Sequence, residues 1–545
     1  MTAFGIDLGT TYSCISRVNE AGEPVVIPNE EGRNTTESVV YFESQYKVRV
    51  GREAKNAARS YPDQVVALIK RDMGKKNVQL TFHGMRYTPE SVSALILKDL
   101  VNSVRQHSGE TVKDVVITVP AYFGVAERQA TKVAGEIAGL DVISVVPEPV
   151  AAAMYYGVLT PNANRTILVY DLGGGTFDTT VIQLVDGDVT VVCTDGSHQL
   201  GGTDWDEKIA TYLLDYFAAE QPDAGAADSE ELLQELMLLA EDLKKSLSQR
   251  ETATQVIRFG GHTVRAELTR EAFEEMSADL LQRTLDITER TLATARDKGV
   301  DRVDEVLLVG GSTHMPVVAA RITEILGFPP KRKDPELAVA KGAALFAVHE
   351  TARVRLGDGT GGSRRGAAVG TAKLAGELGV PHETVVAMHD TKVTTVVPRA
   401  FGVKIFELAE AEPGEPEPPP GAGRLLVSHL LHANTPLPTE RYTRQFGTVM
   451  ENQREIQVEI WEQAGETESK WLSDNNHIGE GTIRRLPPLK KGSPVDITFQ
   501  MNETGTLLVE AVELSTGQRL NIELQIGEMT PRQVAQARDA VSRLS

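Results

Sequence analysis

Cysteine is nearly absent: Cys14 and Cys193 are the only two in 545 residues. Two are too few for a disulfide framework or a thiolate metal site. Basic residues are outnumbered, 56 Lys and Arg against 76 Asp and Glu, giving a formal net charge of −20 and a pI near 5.1. Such a balance argues against sequence-independent binding to phosphate backbones or anionic membranes, which need clustered cations. No apolar run approaches the ~18 residues of a membrane span. The opening MTAFGID has no basic segment leading into an apolar one, so a secretory signal is not expected. A Gly-x-x-x-x-Gly-Lys-Ser/Thr loop is missing too, which excludes the P-loop as a phosphate device. These absences predict a soluble, cytoplasmic protein without nucleic-acid or membrane partners.

What is present is ordinary globular material, 41% hydrophobic and 24% charged. At roughly 100–200 residues per domain, the length predicts about three or four domains. Up to about residue 350, β-rich runs alternate with helical stretches. Thr111–Pro120 and Arg165–Tyr170 read as buried strands, and residues 231–249 and 268–295 as amphipathic, core-packing helices. Residues 351–396 contain GDGTGGSRRG and read as a flexible, Gly-containing interdomain linker. From 397 to 526, alternating runs such as Glu455–Trp461, Val495–Met501 and Thr506–Val512 predict an antiparallel β-sandwich. Its loop Glu410–Gly423 is rich in Pro and Glu and reads as solvated and extended. A short helix is expected within Thr530–Ser545, capped by Thr530 with Pro531 in its first turn.

The most informative feature is a repeat. Phe4–Val18 (FGIDLGTTYSCISRV) and Val169–Val185 (VYDLGGGTFDTTVIQLV) each run from an apolar strand through Asp, Leu and Gly to a Thr-containing turn and a second strand. Glycines let backbone amides approach an oxyanion, and consecutive N–H groups form an anion nest. Thr10, Thr11 and Thr176 add hydroxyls, and Asp7 and Asp171 are placed to hold a hydrated Mg²⁺. One such turn is only a tight hairpin. Two copies, from duplicated domains facing one another, aim at one cleft. Val306–Pro316 (VLLVGGSTHMP) adds a strand and a Gly-Gly-Ser turn where Gly310 and Gly311 admit a flat nucleoside.

These elements resemble the actin, hexokinase and heat-shock ATPase superfamily. Within it, GIDLGTTYSC, VPAYFGVAERQATKVAGEIAGL, PEPVAAAMYYG, DLGGGTFD, LGGTDWD and LLVGGSTHMP are similar to segments of the heat-shock protein 70 (DnaK-type) chaperones. The resemblance runs from Phe4 to about Phe346 and resumes from Val397 to about Ile526 through NTPLPT, ENQREIQVEIWEQ and GTLLVEAVELSTG. It implies an actin-like (ribonuclease-H-like, duplicated) ATPase domain over residues 1–350, a linker over 351–396, a β-sandwich peptide-binding domain over 397–526, and a helical lid remnant over 527–545.

The resemblance also implies roles. Asp7, Gly9, Thr10, Thr11 and Tyr12 of the first hairpin meet phosphates, as do Asp171, Gly173, Gly174, Gly175, Thr176 and Asp178 of the second, with Gly201 and Gly202 alongside. Lys70 matches a lysine of γ-phosphate contact and hydrolysis, and Glu148 a carboxylate that organises metal and water. Asp7, Asp171 and Glu148 are thus the implied Mg²⁺ residues, acting through waters. Gly310, Gly311, Ser312, Glu241, Lys244 and Ser248 match the adenosine contacts. Lys245 and His314 stand where family members commonly carry two base-stacking arginines, which implies weaker ATP binding. Pro120 and Arg128 match an interdomain-coupling pair. Val403, Phe406, Phe446, Val449, Ile456 and Val458 match the lining of the peptide cleft.

The implied activity is ATP hydrolysis to ADP coupled to capture and release of extended apolar client segments, with a J-domain co-chaperone and a nucleotide-exchange factor as partners. Ser144, Pro147-Glu148-Pro149 and the segment DTKVTTVV depart from the features that J-domain proteins read. A nucleotide-gated binding module with little turnover is the alternative, and a small-molecule kinase is disfavoured by the β-domain. The chain reads as a short member lacking most of the lid, with fast peptide release expected.

Overall fold

A computed structural model describes the chain apart from residues 1, 76, 160–163, 227–228, 358–363, 409–422, 504, 524–528 and 545. The chain divides into two units, one of Met1–Ala121, Glu127–Val393 and Glu528–Ser545, the other of Tyr122–Ala126 and Thr394–Gly527.

The first unit holds two sheets of the same design. One contains β1 (Phe4–Leu8), β2 (Tyr12–Val18), β3 (Pro24–Ile27), β4 (Asp114–Val119) and β5 (Asp141–Pro147), in the order β5-β4-β1-β2-β3. The other contains β6 (Arg165–Leu172), β7 (Phe177–Val185), β8 (Asp188–Ser197), β9 (Glu305–Val309) and β10 (Lys331–Arg332), in the order β10-β9-β6-β7-β8, with a two-residue strand, Val393–Thr394, added at the β8 edge. In each, an antiparallel three-strand meander is extended by two parallel strands beside its first member. The duplication suggested by two short motifs therefore extends to whole sheets. The central strand β6 is apolar without alternation because both its faces are covered: every residue from Thr166 to Leu172 is buried.

The helix Ala338–Leu356 follows the second sheet in sequence but packs on the first, where Ser16 Oγ donates to its Ala340 carbonyl at 2.5 Å. The expected helix at 231–249 spans Glu230–Leu247 and is capped by Ser229, whose side chain accepts from Leu232 N–H. The one at 268–295 is two helices, Arg270–Met276 and Ala278–Asp297, interrupted at Ser277.

The linker expectation needs correction. Within 351–396 lie two helices, Arg364–Leu378 and His382–Asp390, which bury Leu374, Ala375, Leu378, Val385 and Met388 in the first unit. Their apolar residues recur at helical spacings, whereas the glycine-rich composition of the neighbouring stretch dominated the reading. Of that stretch, residues 358–363 lie outside the described residues. The C-terminal helix, Pro531–Ser542, has the expected Thr530 cap, reciprocated by Gln533. It packs on the helix Pro89–Ser108, where Lys98 Nζ donates to the carbonyls of Val541 (3.0 Å) and Leu544 (2.8 Å).

The second unit is all antiparallel β. Its strands are β11 (Phe401–Leu408), β12 (Gly423–Leu431), β13 (Tyr442–Gly447), β14 (Ile456–Gln463), β15 (Asn475–Ile483), β16 (Pro494–Met501), β17 (Leu507–Glu513) and β18 (Arg519–Glu523). They form sheets β12-β11-β14-β15 and β13-β16-β17-β18. One core joins them, with Phe401, Val403, Val458 and Ile460 from one sheet against Val495, Ile497, Phe499 and Val509 from the other. The Pro/Glu-rich loop lies almost wholly at 409–422, outside the described residues. Among the described residues, no helix is long and apolar enough to cross a membrane.

Candidate functional site

The β1–β2 turn and the β6–β7 turn meet. A Cβ on Gly174 would lie 2.0 Å from Thr11 Oγ1, and one on Gly175 2.3 Å from Thr10 Cγ2, so only glycine allows the two turns to touch. The second turn is sewn to its neighbours through the backbone. Gly202 N–H donates to Gly173 O (3.0 Å) and Thr203 N–H to Gly174 O (2.7 Å). Ser312 Oγ donates to Gly173 O (2.8 Å), and Lys244 Nζ to Gly202 O (2.6 Å).

A cavity of about 1170 Å³ opens between these elements. It is lined by Asp7, Gly9, Thr10, Thr11, Tyr12, Lys70, Glu148, Asp171, Gly173, Gly174, Thr176, Gly202, Glu241, Lys244, Lys245, Ser248, Gly310, Gly311, Ser312 and His314. These are the lining residues singled out from the sequence; others, Lys55, Asp206 and Glu336 among them, are not. Three more singled-out residues stand behind the lining. Gly175 and Gly201 abut one another, and the buried Asp178 accepts from Ala121 N–H at 3.2 Å.

One part of the cavity is a buried acid cluster with a single lysine. Lys70 Nζ contacts Glu148 Oε1 at 2.5 Å, and both side chains are more than nine-tenths buried. Lys70 sits on the short turn Ile69–Asp72, entered through Leu68 at φ 57°, a left-handed conformation unusual for a leucine. Burial, then the Glu148 charge, pushes Asp7 up to about 7, against the pull of Lys70 and of a hydrogen bond from Thr118 Oγ1 (2.9 Å). Asp171 is raised well above the carboxylate range, first by burial and then by Glu148, Asp178 and Asp7. Lys70 alone does not offset these acids, so they retain protons that a cation would displace. Such a set of hard oxygen donors suits Mg²⁺. Among the described residues no three carboxylates converge closely enough to hold an ion directly, so water-mediated contact is the fit.

The other part is a network of cations around Glu241. Tyr12 Oη donates to Glu241 Oε1 (2.8 Å), Lys245 Nζ reaches Glu241 Oε1 (2.7 Å) and Tyr12 Oη (3.0 Å), and Lys55 Nζ pairs with Glu241 Oε2. Burial raises Glu241, but Lys55 and Lys245 outweigh it and hold the carboxyl at about 2. Lys245 is thus engaged with Tyr12 and Glu241, while His314 Nε2 faces Glu336 Oε1 at 3.4 Å.

Several site residues escaped the sequence reading. Lys55 and Arg71 are ordinary surface cations in isolation. Arg71 donates from Nε to Gly175 O (3.0 Å) and from Nη2 to Asp204 Oδ2 (2.9 Å), joining the Lys70 turn to the β6–β7 turn. Asp206 lies within the quoted motif LGGTDWD and lines the cavity, paired with Lys244 at 2.8 Å. Burial raises it to about 6 despite that lysine.

Outside the cavity, Arg128 Nη2 donates to the carbonyl of Ala121 (3.0 Å), the residue after Pro120. In the second unit the six expected cleft residues separate. Val403, Ile456 and Val458 are closed into the shared core, and Phe446 packs against it. Phe406 and Val449 stay exposed, at 39% and 47%. Strand alternation sends neighbouring side chains to opposite faces, which one row of apolar residues does not reveal.

The family model described as Hsp70 protein matches residues 3–80, 75–356 and 423–539. Two relatives, each named Chaperone protein DnaK, come from the R1 and NRC-1 strains of Halobacterium salinarum. Each is 36% identical over 533 residues, covering 96% of this chain and 75% of the relative. Twin Gly-Thr turns that meet beside one cavity and matches along most of the sequence converge: the chain belongs to the Hsp70 family.

Proposed function

We propose that this protein is an ATP-dependent molecular chaperone that hydrolyses ATP to ADP and couples that cycle to capture and release of extended apolar peptide segments. The observation that carries the reading is the contact between two Gly-Thr turns of a duplicated, actin-like fold at a cavity containing the Lys70–Glu148 pair. The related chaperones named DnaK favour it over a binding module with little turnover.

Backbone amides and hydroxyls of Gly9–Thr11 and Gly173–Thr176 bind the phosphates. Lys70 supplies positive charge where negative charge accumulates, and Glu148, held by Lys70, orients a water for in-line attack. Asp7, Asp171 and Glu148 would hold a hydrated Mg²⁺, which would supply charge neutralisation at the phosphates. Asp178, Gly201 and Gly202 support the second turn. Gly310, Gly311, Ser312 and His314 take one side of the nucleoside, with Glu241, Lys244, Lys245 and Ser248 on the other. Pro120 and Arg128 carry the signal between domains. Client peptides engage the sandwich near Phe406, Phe446 and Val449, over Val403, Ile456 and Val458. A J-domain protein and a nucleotide-exchange factor are the partners of this cycle, which takes place in the cytoplasm.

Steady-state turnover of wild type and Lys70→Ala tests the ATPase, and release of a fluorescent apolar peptide with and without ATP tests the coupling. Equal background turnover in both proteins would sink the first. An unchanged release rate would sink the second.

A further inference from the structure

The helices Arg364–Leu378 and His382–Asp390 lie in residues 357–422, between the stretches that the family model matches. Their buried side chains pack along the helix Ala338–Leu356. His349 Nδ1 on that helix donates to the Met388 carbonyl (2.7 Å), and Arg355 pairs with Glu377 (2.8 Å). Thr371 Oγ1 and His382 Nε2, 2.8 Å apart, tie the two inserted helices together.

The second inserted helix has contacts at both ends. Gly22, in the turn joining β2 to β3, approaches its start so closely that a Cβ there would lie 2.5 Å from Thr384 Oγ1 and 3.4 Å from Pro381 Cγ. Beyond its end, Lys392 N–H donates to Asp188 Oδ1 (2.8 Å), and Lys392 O accepts from Val189 N–H (2.9 Å). Asp188 and Val189 begin β8, just after the turn joining β7 to β8. The two turns touched are equivalents: each joins the second and third strands of the repeated meander. At the opposite ends of the same strands lie the two phosphate turns.

We propose that Thr371–Lys392 is a strap that fastens the two copies of the repeated hairpin at their far ends. It links movement of the phosphate turns to the chain leaving Lys392 for the second unit. The proposal rests on the nucleotide reading of the cavity. Strands of 7 and 9 residues place the strap contacts roughly 20–30 Å from the phosphate turns, and hydrogen-bonded hairpins swing as rigid levers over that span. The strap's hold is uneven. Val385, Met388 and Leu378 are buried beside the first sheet's helix, whereas the grip on the second sheet is an edge pairing: the Asp188 side-chain and Val189 backbone bonds at Lys392, continued by Val393 along the rim of β8. When the copies rotate, the strap yields at this edge pairing first, because a few edge hydrogen bonds open at lower cost than a buried apolar face.

Hydrogen exchange on the full chain tests this. Protection of the Val189 and Lys392 amides should change by at least about threefold between nucleotide-free and ATP–Mg²⁺ states, although neither residue lines the cavity. Asp188→Ala, and separately Val385→Ala with Met388→Ala, should keep ATP affinity within about threefold while altering the ATP effect on peptide release by about fivefold. If the double variant fails to fold, Asp188→Ala decides alone, since its side chain is at the surface. Unresponsive amides at 189 and 392, or an unchanged ATP effect in a folded variant, overturn the strap. If wild-type peptide release ignores ATP, the chaperone reading fails instead, and the strap stands or falls on exchange alone.

Discussion

Lys70 and Glu148 form an ion pair, Nζ to Oε1 2.5 Å, within a cluster of buried acids that holds no other lysine among the described residues. A buried pair of this kind is worth little as net stability, but removing one partner strands the other charge. Lys70→Ala is therefore expected to lower single-turnover hydrolysis by at least about 100-fold and to destabilise the first unit by about 3 kcal/mol. Lys70→Met with Glu148→Gln should recover the stability and none of the rate. Quenched-flow and thermal unfolding measure the two effects separately.

The touching turns leave no room for side chains. Gly174→Ala sets a Cβ against Thr11 and Gly175→Ala against Thr10. Either substitution should separate the turns and weaken ADP binding by about tenfold, with about 1–3 kcal/mol of overpacking strain. Calorimetric titration with ADP–Mg²⁺ reads the affinity. Unaltered binding in both variants would mean that the turns do not share a ligand.

Glu241 balances two lysines that otherwise repel one another. Glu241→Gln leaves Lys55 and Lys245 facing a neutral amide across the cavity rim. ADP dissociation is expected to quicken several-fold, because Lys55 and Lys245 lose the carboxylate that holds them in place at the cavity. Stopped-flow release of a fluorescent ADP analogue measures it.

Asp206 sets a pH dependence. Its folded value, raised to about 6, lies above that of an unfolded aspartate, so the folded state binds the extra proton. Stability from this group is fully present below about pH 4 and is lost as pH rises through about 6, with about 1 kcal/mol of the loss falling between pH 5 and 7. Asp206→Asn should flatten that part of the stability profile of the nucleotide-free protein. Denaturant titrations at pH 5, 6 and 7 are the check.

The sandwich offers a contrast between two apolar residues. Val458→Ala empties part of the shared core and should cost the second unit about 1–3 kcal/mol. Phe406→Ser removes an exposed ring, should change stability by less than about 0.5 kcal/mol, and should weaken apolar peptide binding. Peptide binding unaffected by Phe406→Ser would move the ligand away from that face.

How far the sequence was readable depended on how local the cause was. The β1–β2 and β6–β7 hairpins were legible because Gly, Thr and Asp at short spacing carry their own geometry. The Thr530 cap and the strands Arg165–Leu172 and Ile456–Gln463 were legible for the same reason. The helices at 364–390 were hidden because their apolar faces gain meaning only against the helix Ala338–Leu356. Lys55 and Arg71 were invisible, since nothing near them in sequence distinguishes them from other surface cations.

By itself, then, the sequence determined that two similar Gly-Thr hairpin turns exist and that an α/β region precedes an antiparallel one. Those properties follow from residue type at short range. Tertiary structure alone decided that the two turns touch, that Lys70 finds Glu148 78 positions away, and that an inserted pair of helices reaches equivalent turns of both sheets. Such contacts join residues far apart along the chain. Burial then sets their strength by removing the water that would otherwise screen them.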